Sequence, residues 1–390
     1  MNWDIIFALV FYGLLFLFFL WKRERFEVQG GIFALYRTKL GLRWMERLAG
    51  RFPRLLRVLG VIGIVIGFLG MGVMVYFLLV GAWGVLVGKA PLLSPVLPGI
   101  EIAPGIPKLG FWHWVISIFL VAVIHEFSHG VLARLFKIKV KSSGFAFLGP
   151  ILAAFVEPDE KQLAKKSRKE QLAIFAAGPF SNVVLGLIFL VITGMLGTVA
   201  YGTLDFHGVK IAGFEKNSVL EQAGLQQGEI ILKVNGQEIV NAASMSKIIT
   251  GISPGDSVDI VTNKQTYRVV AAQHPQNEKR AYLGVSLVAL GYQQEHLERY
   301  GLFWLDALFW VYLLCWWIYT IGIGVGIFNL VPLGPVDGGR MWLTALTWKF
   351  SEERAKKIWK YTSLAIVLLI VINLMPWIIK LLTSILNALS

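Results

Sequence analysis

The sequence predicts a polytopic α-helical membrane protein of about six transmembrane helices, with one inserted small α+β domain and a re-entrant β-hairpin. Three observations predict it. Of 390 residues, 56% are hydrophobic and only 16% charged, with a mean hydropathy of +0.65. A soluble domain carries about 25% charged residues. Residues 5–21, 58–88, 171–204, 307–336 and 361–379 contain no Asp, Glu, Lys or Arg. One stretch, 200–300, balances 9 Lys and Arg against 10 Asp and Glu and carries turn signals between strand-like runs. The single cysteine, Cys315, excludes a disulfide scaffold, and the apolar excess excludes disorder.

Most charge-free runs are long enough for the roughly 20 residues that cross the hydrocarbon. A sixth apolar run goes from Leu109 to Ala133, broken by Glu126 and three histidines. The first run follows Asp4 and ends in Trp21-Lys22-Arg23, without a small-residue cleavage site, so it reads as an anchor rather than a cleavable signal.

Charge bias sets the expected orientation. Segments 21–57, 134–169 and 340–360 hold 10, 9 and 6 basic residues, which is 25 of the 37 in the chain. Cytoplasmic loops collect Lys and Arg, so these three segments are expected inside and both termini outside. The net charge of +13 then reflects orientation and affinity for anionic head groups of the bilayer, with no nucleic-acid partner. Residues 36–54 read as an amphipathic helix on the inner surface or as a solvated basic loop.

The aqueous segment shows hairpin and turn chemistry. Ile230 to Val234 leads into Asn235-Gly236, and Ser253-Pro254-Gly255-Asp256 precedes Val258 to Val261. The orientation puts this domain outside.

The chemistry sits in the third span. Residues 125–129 read His125-Glu126-Phe127-Ser128-His129. Positions i and i+4 share a helix face. Two imidazoles there can hold one Zn²⁺, and Glu126 can act as general base towards water. His125 precedes Arg134 by nine residues, placing it about 13 Å inside the inner boundary at 1.5 Å per residue. Three ionisable groups at that depth need pairing or a metal.

A two-histidine half-site needs a third ligand. Asp337 follows the fifth span, in a stretch from Asn329 to Gly339 broken by Pro332, Pro335 and three glycines. Alone it reads as a helix cap. Beside the orphan half-site it reads as the third ligand. His113, His207, His274 and His296 read as ordinary polar residues.

At these residues the chain resembles the site-2 proteases, intramembrane zinc metalloproteases of peptidase family M50. His125, Glu126 and His129 match the family's HExxH. Asn329, Pro332, Asp337 and Gly338 match its Asn-x-x-Pro…Asp-Gly stretch, with Gly334 and Val336 as mild departures. Gly178-Pro179-Phe180-Ser181-Asn182 is similar to its Gly-Pro-x-x-Asn motif. The resemblance covers about residues 110–350. It implies one Zn²⁺ per chain on His125, His129 and Asp337, with Glu126 catalytic, and Asn182 and Asn329 as candidates for substrate or oxyanion hydrogen bonds. Asn217 to Gly236 is similar to part of a PDZ domain, and Tyr282-Leu283-Gly284-Val285 to a carboxylate-binding loop. The implied partners are single-span or signal-peptide-like membrane proteins and a peptide C-terminus at the PDZ-like domain. The implied place is the cell membrane, with the active site near the cytosolic side. Gly144 to Val156, centred on Gly149-Pro150, fits the family's membrane-embedded β-loop, a candidate edge for an unwound substrate. Proline at Ala153 would probe that pairing.

The expected divisions are 1–56 (anchor and basic segment), 57–110 (second span and outer loop), 111–199 (core with HExxH and Gly-Pro-x-x-Asn helices), 200–295 (PDZ-like domain), 296–350 (core helix and Asp-Gly motif) and 351–390 (last span). The competing classes are a metal or proton transporter using the same His, Glu and Asp, and an inactive scaffold presenting its PDZ-like domain. The motif order and the intact Glu126 favour the protease.

Overall fold

A computed structural model describes residues 3–29, 33–89, 91–98, 106–148, 151–205, 207–215, 218–274, 277–288, 291 and 293–389. The Gly149-Pro150 tip and Asn217, both singled out by the sequence, lie outside the described residues. The chain forms two compact units, Met1–Gly194 with Leu313–Ser390, and Met195–Tyr312.

The first unit opens with α1 (Trp3–Trp21), a short 3-10 turn, and strands β1 (Phe26–Gln29) and β2 (Phe33–Thr38). Helices α2 (Leu42–Arg51), α3 (Pro53–Leu86) and α4 (Phe111–Leu135) follow. The hairpin β3 (Val140–Leu148) and β4 (Ile151–Pro158), the short α5 (Glu160–Ala164) and the long α6 (Arg168–Gly202) come next. The aqueous segment runs β5 (Val209–Phe214), α7 (Val219–Gln222), β6 (Ile230–Val234), β7 (Gln237–Glu238), α8 (Ala242–Thr250), β8 (Ser257–Thr262), β9 (Thr266–Val270), β10 (Ala272–His274), β11 (Asn277–Tyr282), β12 (Val285–Val288) and α9 (Gln294–Tyr300). The chain returns through α10 (Leu302–Phe328), α11 (Asp337–Lys349) and α12 (Glu352–Leu389).

Five of these helices, α3, α4, α6, α10 and α12, are long and apolar enough to cross a membrane, and Ile6–Trp21 of α1 adds a shorter apolar helix. The five charge-free runs and the apolar run 109–133 mark all six. The protein is thus a multi-pass membrane protein. Five of the helices begin before their runs, because backbone hydrogen bonding continues into the flanking charged residues, whereas α10 stops eight residues short of Val336.

The sheet of the first unit is larger than the hairpin expected from sequence. β1 and β2 add to it in the order β1-β2-β3-β4, all antiparallel. Residues 36–38 are therefore strand, and the amphipathic helix is confined to Leu42–Arg51. The sequence hides this because β2 earns its partner from β3, more than a hundred residues away. Thr38 Oγ1 donates to Ser143 O at 3.0 Å, and Ser143 Oγ donates to Leu40 O at 2.5 Å. Arg37 joins Glu27 and Glu157 across the sheet.

The core of this unit packs α4 on α6, with Val131, Leu132, Leu172, Ala173 and Ala176 buried together with Leu330 and Met341. α3 joins α12 through Asn373, fully buried, whose Nδ2 donates to Leu78 O at 2.9 Å. The second unit is built on an antiparallel sheet in the order β12-β5-β6-β8-β9, with β7 beside β6. Ile231, Val234, Ile260 and Met245 fill its core. Asn235 and Gly236 both have positive φ, 49° and 77°, the hairpin turn that their pair predicts.

Candidate metal centre

The two histidines of α4 face α6 and the start of α11. His125 Nε2 lies 2.9 Å and His129 Nε2 3.2 Å from Asp337 Oδ2. Among the described residues, these three offer ligand atoms that all lie within 4.8 Å of one another. All three side chains are almost wholly shielded from solvent.

Local structure explains how Asp337 gets there. α10 stops at Phe328, and Pro332 and Pro335 keep the chain out of helix until α11 begins at Asp337. The turn is tight: Gly338 N–H donates to Asn329 O at 2.7 Å. A Cβ on Gly338 would strike Leu330 O, and one on Gly339 would strike Leu333 O. Trp359 Nε1–H of α12 donates to Gly339 O at 3.0 Å, and Gly334 N–H to Ser363 Oγ at 3.1 Å. Asp337 is the first residue of α11, not its cap. The cap is Val336, and the carboxylate turns to the histidines instead.

Backbone and side chains of α6 set the rings. His129 Nδ1–H donates to Ile174 O at 2.7 Å, which leaves Nε2 as the free lone pair. Asn182 is fully buried with its Nδ2 2.9 Å from His125 Nδ1, while its Oδ1 has no partner among the described residues. Turning that amide over presents Oδ1 to Nδ1–H and frees His125 Nε2 for a metal. Gly178 lies between these two contacts. A Cβ there would fall onto Nε2 of both histidines, so α6 can approach the pair only with glycine at this position. The residues fit a zinc ion: two imidazole nitrogens, one carboxylate oxygen, and a ring-orienting partner behind each histidine.

Glu126 leaves the histidine face. Its Oε2 accepts from Val156 N–H of β4 at 2.9 Å. Asn329, the other expected polar residue, donates from Nδ2 to Val325 O at 3.0 Å and holds the turn with its carbonyl. Arg340, three residues after Asp337, pairs with Glu160 at 2.9 Å and lies 4.3 Å over the Phe175 ring. Sequence reading missed Val156, Ile174 and Arg340. The first two act through backbone atoms, which no residue type announces.

Peptidase family M50 matches residues 113–370, about two thirds of the chain. The chain belongs to that family. As an M50 member it is a metallopeptidase, with zinc the metal in the names of its relatives. It is 29% identical to an uncharacterized protein of Methanocaldococcus jannaschii, over 81% of this chain and 78% of that protein. It is 24% identical to zinc metalloprotease RasP of Oceanobacillus iheyensis (56% of this chain, 61% of RasP) and 26% to RasP of Shouchella clausii (50% and 54%). The M50 chain thus spans little more than half the length of these named metalloproteases. The PDZ domain of an SdrC-like protein from Listeria monocytogenes aligns with 21% of the chain at 18% identity and a TM-score of 0.19.

Proposed function

We propose that this chain is a zinc-dependent intramembrane endopeptidase, which hydrolyses peptide bonds within or near the transmembrane segments of single-span membrane proteins, as in regulated intramembrane proteolysis. One observation carries the reading: His125, His129 and Asp337 converge inside a bundle of membrane-length helices, with Glu126 beside them on α4. His125, His129 and Asp337 would hold the ion. Bound zinc supplies a Lewis acid that acidifies water and polarises a carbonyl oxygen.

The residues of the chain supply the rest. Glu126 takes a proton from water and passes it to the leaving amine. Asn182, expected to serve the substrate, acts instead through the ring of His125. Its burial and its 2.9 Å contact support an orienting role. Asn329 keeps the Asp337 turn closed.

A transmembrane helix hides its peptide bonds, so the substrate must unwind near the site and find new hydrogen-bond partners. β4 is the last strand of its sheet and runs beside α4, whose Glu126 takes the outward Val156 N–H and leaves the groups before it as the edge of this reading. In this reading the freed strand pairs there. The charge bias supports a cytosolic position for α2, the β3-β4 sheet and α11. In the second unit a cavity of about 310 Å³ lies between Met245 and Ile249 of α8 and the Leu283-Gly284 loop, with Arg280 at its wall. Gly284 has φ +71°, and β12 is a sheet edge. These features support capture of a peptide C-terminus.

The test is metal analysis and cleavage of a single-span substrate by detergent-purified protein. Wild type should hold one zinc and cleave. Glu126→Gln should hold zinc without cleaving, and Asp337→Ala should lose both. Cleavage at the wild-type rate by Glu126→Gln would overturn the reading.

A further inference from the structure

A groove of about 400 Å³ lies between α3, α4 and α6. Gly60 and Gly63 of α3, Ser128 and Val131 of α4, and Ala177 and Phe180 of α6 form its walls. The glycines create the space by withholding side chains. The wall is apolar in effect, because its hydroxyls are spent on their own helices. Ser128 Oγ–H donates to Ile124 O at 2.7 Å, and Ser181 Oγ–H to Gly178 O at 2.8 Å.

One end of the groove is strongly basic. Leu48 and Leu56 line that end. Around them, Arg43, Arg47, Arg51, Arg54 and Arg57 are all exposed. Glu46 is the one acid between residues 28 and 100, and it pairs with Arg134. None of the five arginines has a carboxylate partner among the described residues.

We propose that the groove is a binding site for an anionic glycerophospholipid, its acyl chain between α3, α4 and α6 and its phosphate among Arg47, Arg51, Arg54 and Arg57. The chemistry of the wall selects this occupant. An unwound peptide would leave its backbone groups unpaired against such a wall. A helical segment, roughly 10 Å across, is wider than a slot between packed helices. An acyl chain needs neither hydrogen bonds nor width, and arginine forks suit phosphate oxygens. The site also bears on catalysis. Ser128, Ala177 and Ser181 adjoin His129, Gly178 and Asn182 in the chain, so the lipid wedges the same helix pair that sets both histidines.

Native mass spectrometry of the delipidated full chain tests this, with phosphatidylglycerol and phosphatidylcholine of identical chains as probes. One phosphatidylglycerol should be retained at least tenfold more tightly than phosphatidylcholine. Each arginine near a membrane surface contributes roughly a fivefold effect. The triple change Arg51→Gln, Arg54→Gln, Arg57→Gln should therefore lower retention well beyond tenfold. The triple change Arg354→Gln, Lys357→Gln, Lys360→Gln, of equal charge, should leave it intact. Val184→Trp, at the groove wall, should lower retention with no change in charge. Equal retention by the two triple variants would overturn the proposal. So would full competition by glycerol phosphate without a chain, or capture of substrate rather than lipid by a photo-crosslinker at Val131.

Discussion

Glu126 Oε2 accepts a hydrogen bond from Val156 N–H at 2.9 Å, which ties the acid of the histidine helix to the outer edge of β4. The contact fixes the parity of that strand. Ser143 and Val156 face each other, and Val156 N–H points away from β3. In an antiparallel ladder the outward groups alternate. Ala154 therefore presents its N–H to the open edge, while Ala153 donates to β3.

Proline at the two positions should separate edge pairing from sheet stability. Ala154→Pro removes an outward donor and leaves the ladder whole, which edge strands tolerate. It should lower cleavage of a single-span substrate by up to about tenfold, the upper value for one lost hydrogen bond, with zinc content unchanged. Ala153→Pro, which the sequence suggested as the probe, breaks the ladder to Ala146 and should lower the melting temperature instead. Wild-type cleavage by Ala154→Pro in a zinc-loaded protein would count against edge pairing.

Asn182 should act through zinc affinity. Asn182→Leu removes the acceptor behind His125 and should weaken zinc binding by roughly 10–100-fold, the usual effect of an outer-shell partner. Asn182→Asp keeps an acceptor and should retain the metal. Competition with a chelator measures both. Equal affinities for wild type and Asn182→Leu would remove Asn182 from the orienting role.

Gly178 should tolerate no side chain. A single added methyl would occupy the space of both histidine Nε2 atoms. Gly178→Ala should give a helical, membrane-extractable protein without stoichiometric zinc. Circular dichroism with metal analysis separates this from unfolding. A zinc-replete Gly178→Ala protein would contradict the close approach of α6.

The second unit should be acid-sensitive through Glu229, which is 1% exposed. Burial alone would raise its carboxyl. The Gln226 N–H, the Thr262 and Tyr267 hydroxyls and Lys264 outweigh that and hold it below the usual carboxylate range. A lowered carboxyl stabilises the fold above its ordinary value and loses that contribution as pH falls through the folded one. The hydrogen-exchange protection factors of residues 209–288 in the full chain, referred to the unstructured rate at each pH, should be flat from pH 7 to about 5 and fall below about pH 4, near the ordinary Glu value. Glu229→Ala, which strands the Tyr267 hydroxyl while Thr262 keeps Gln265 O, should cost about 1–3 kcal/mol at pH 7. Protection in that variant equal to wild type would refute the assignment.

The sequence by itself determined the six apolar helices, the inserted α+β unit and the pairing of two histidines on one helix face. Each is a local property: an absence of charge over a span's length, a turn pair such as Asn235-Gly236, two histidines one helical turn apart. Only the tertiary structure decided what meets them. Asp337 reaches His125 across 212 residues, and the helix-cap alternative ended when its carboxylate turned to the rings. β1 and β2 joined the hairpin through a register that no local pattern encodes. The partners Ile174, Val156 and Gly178 act by a carbonyl, an amide and a missing side chain. Such groups are the same at every residue, or absent, and acquire a role only when folding sets their distance to another chain segment.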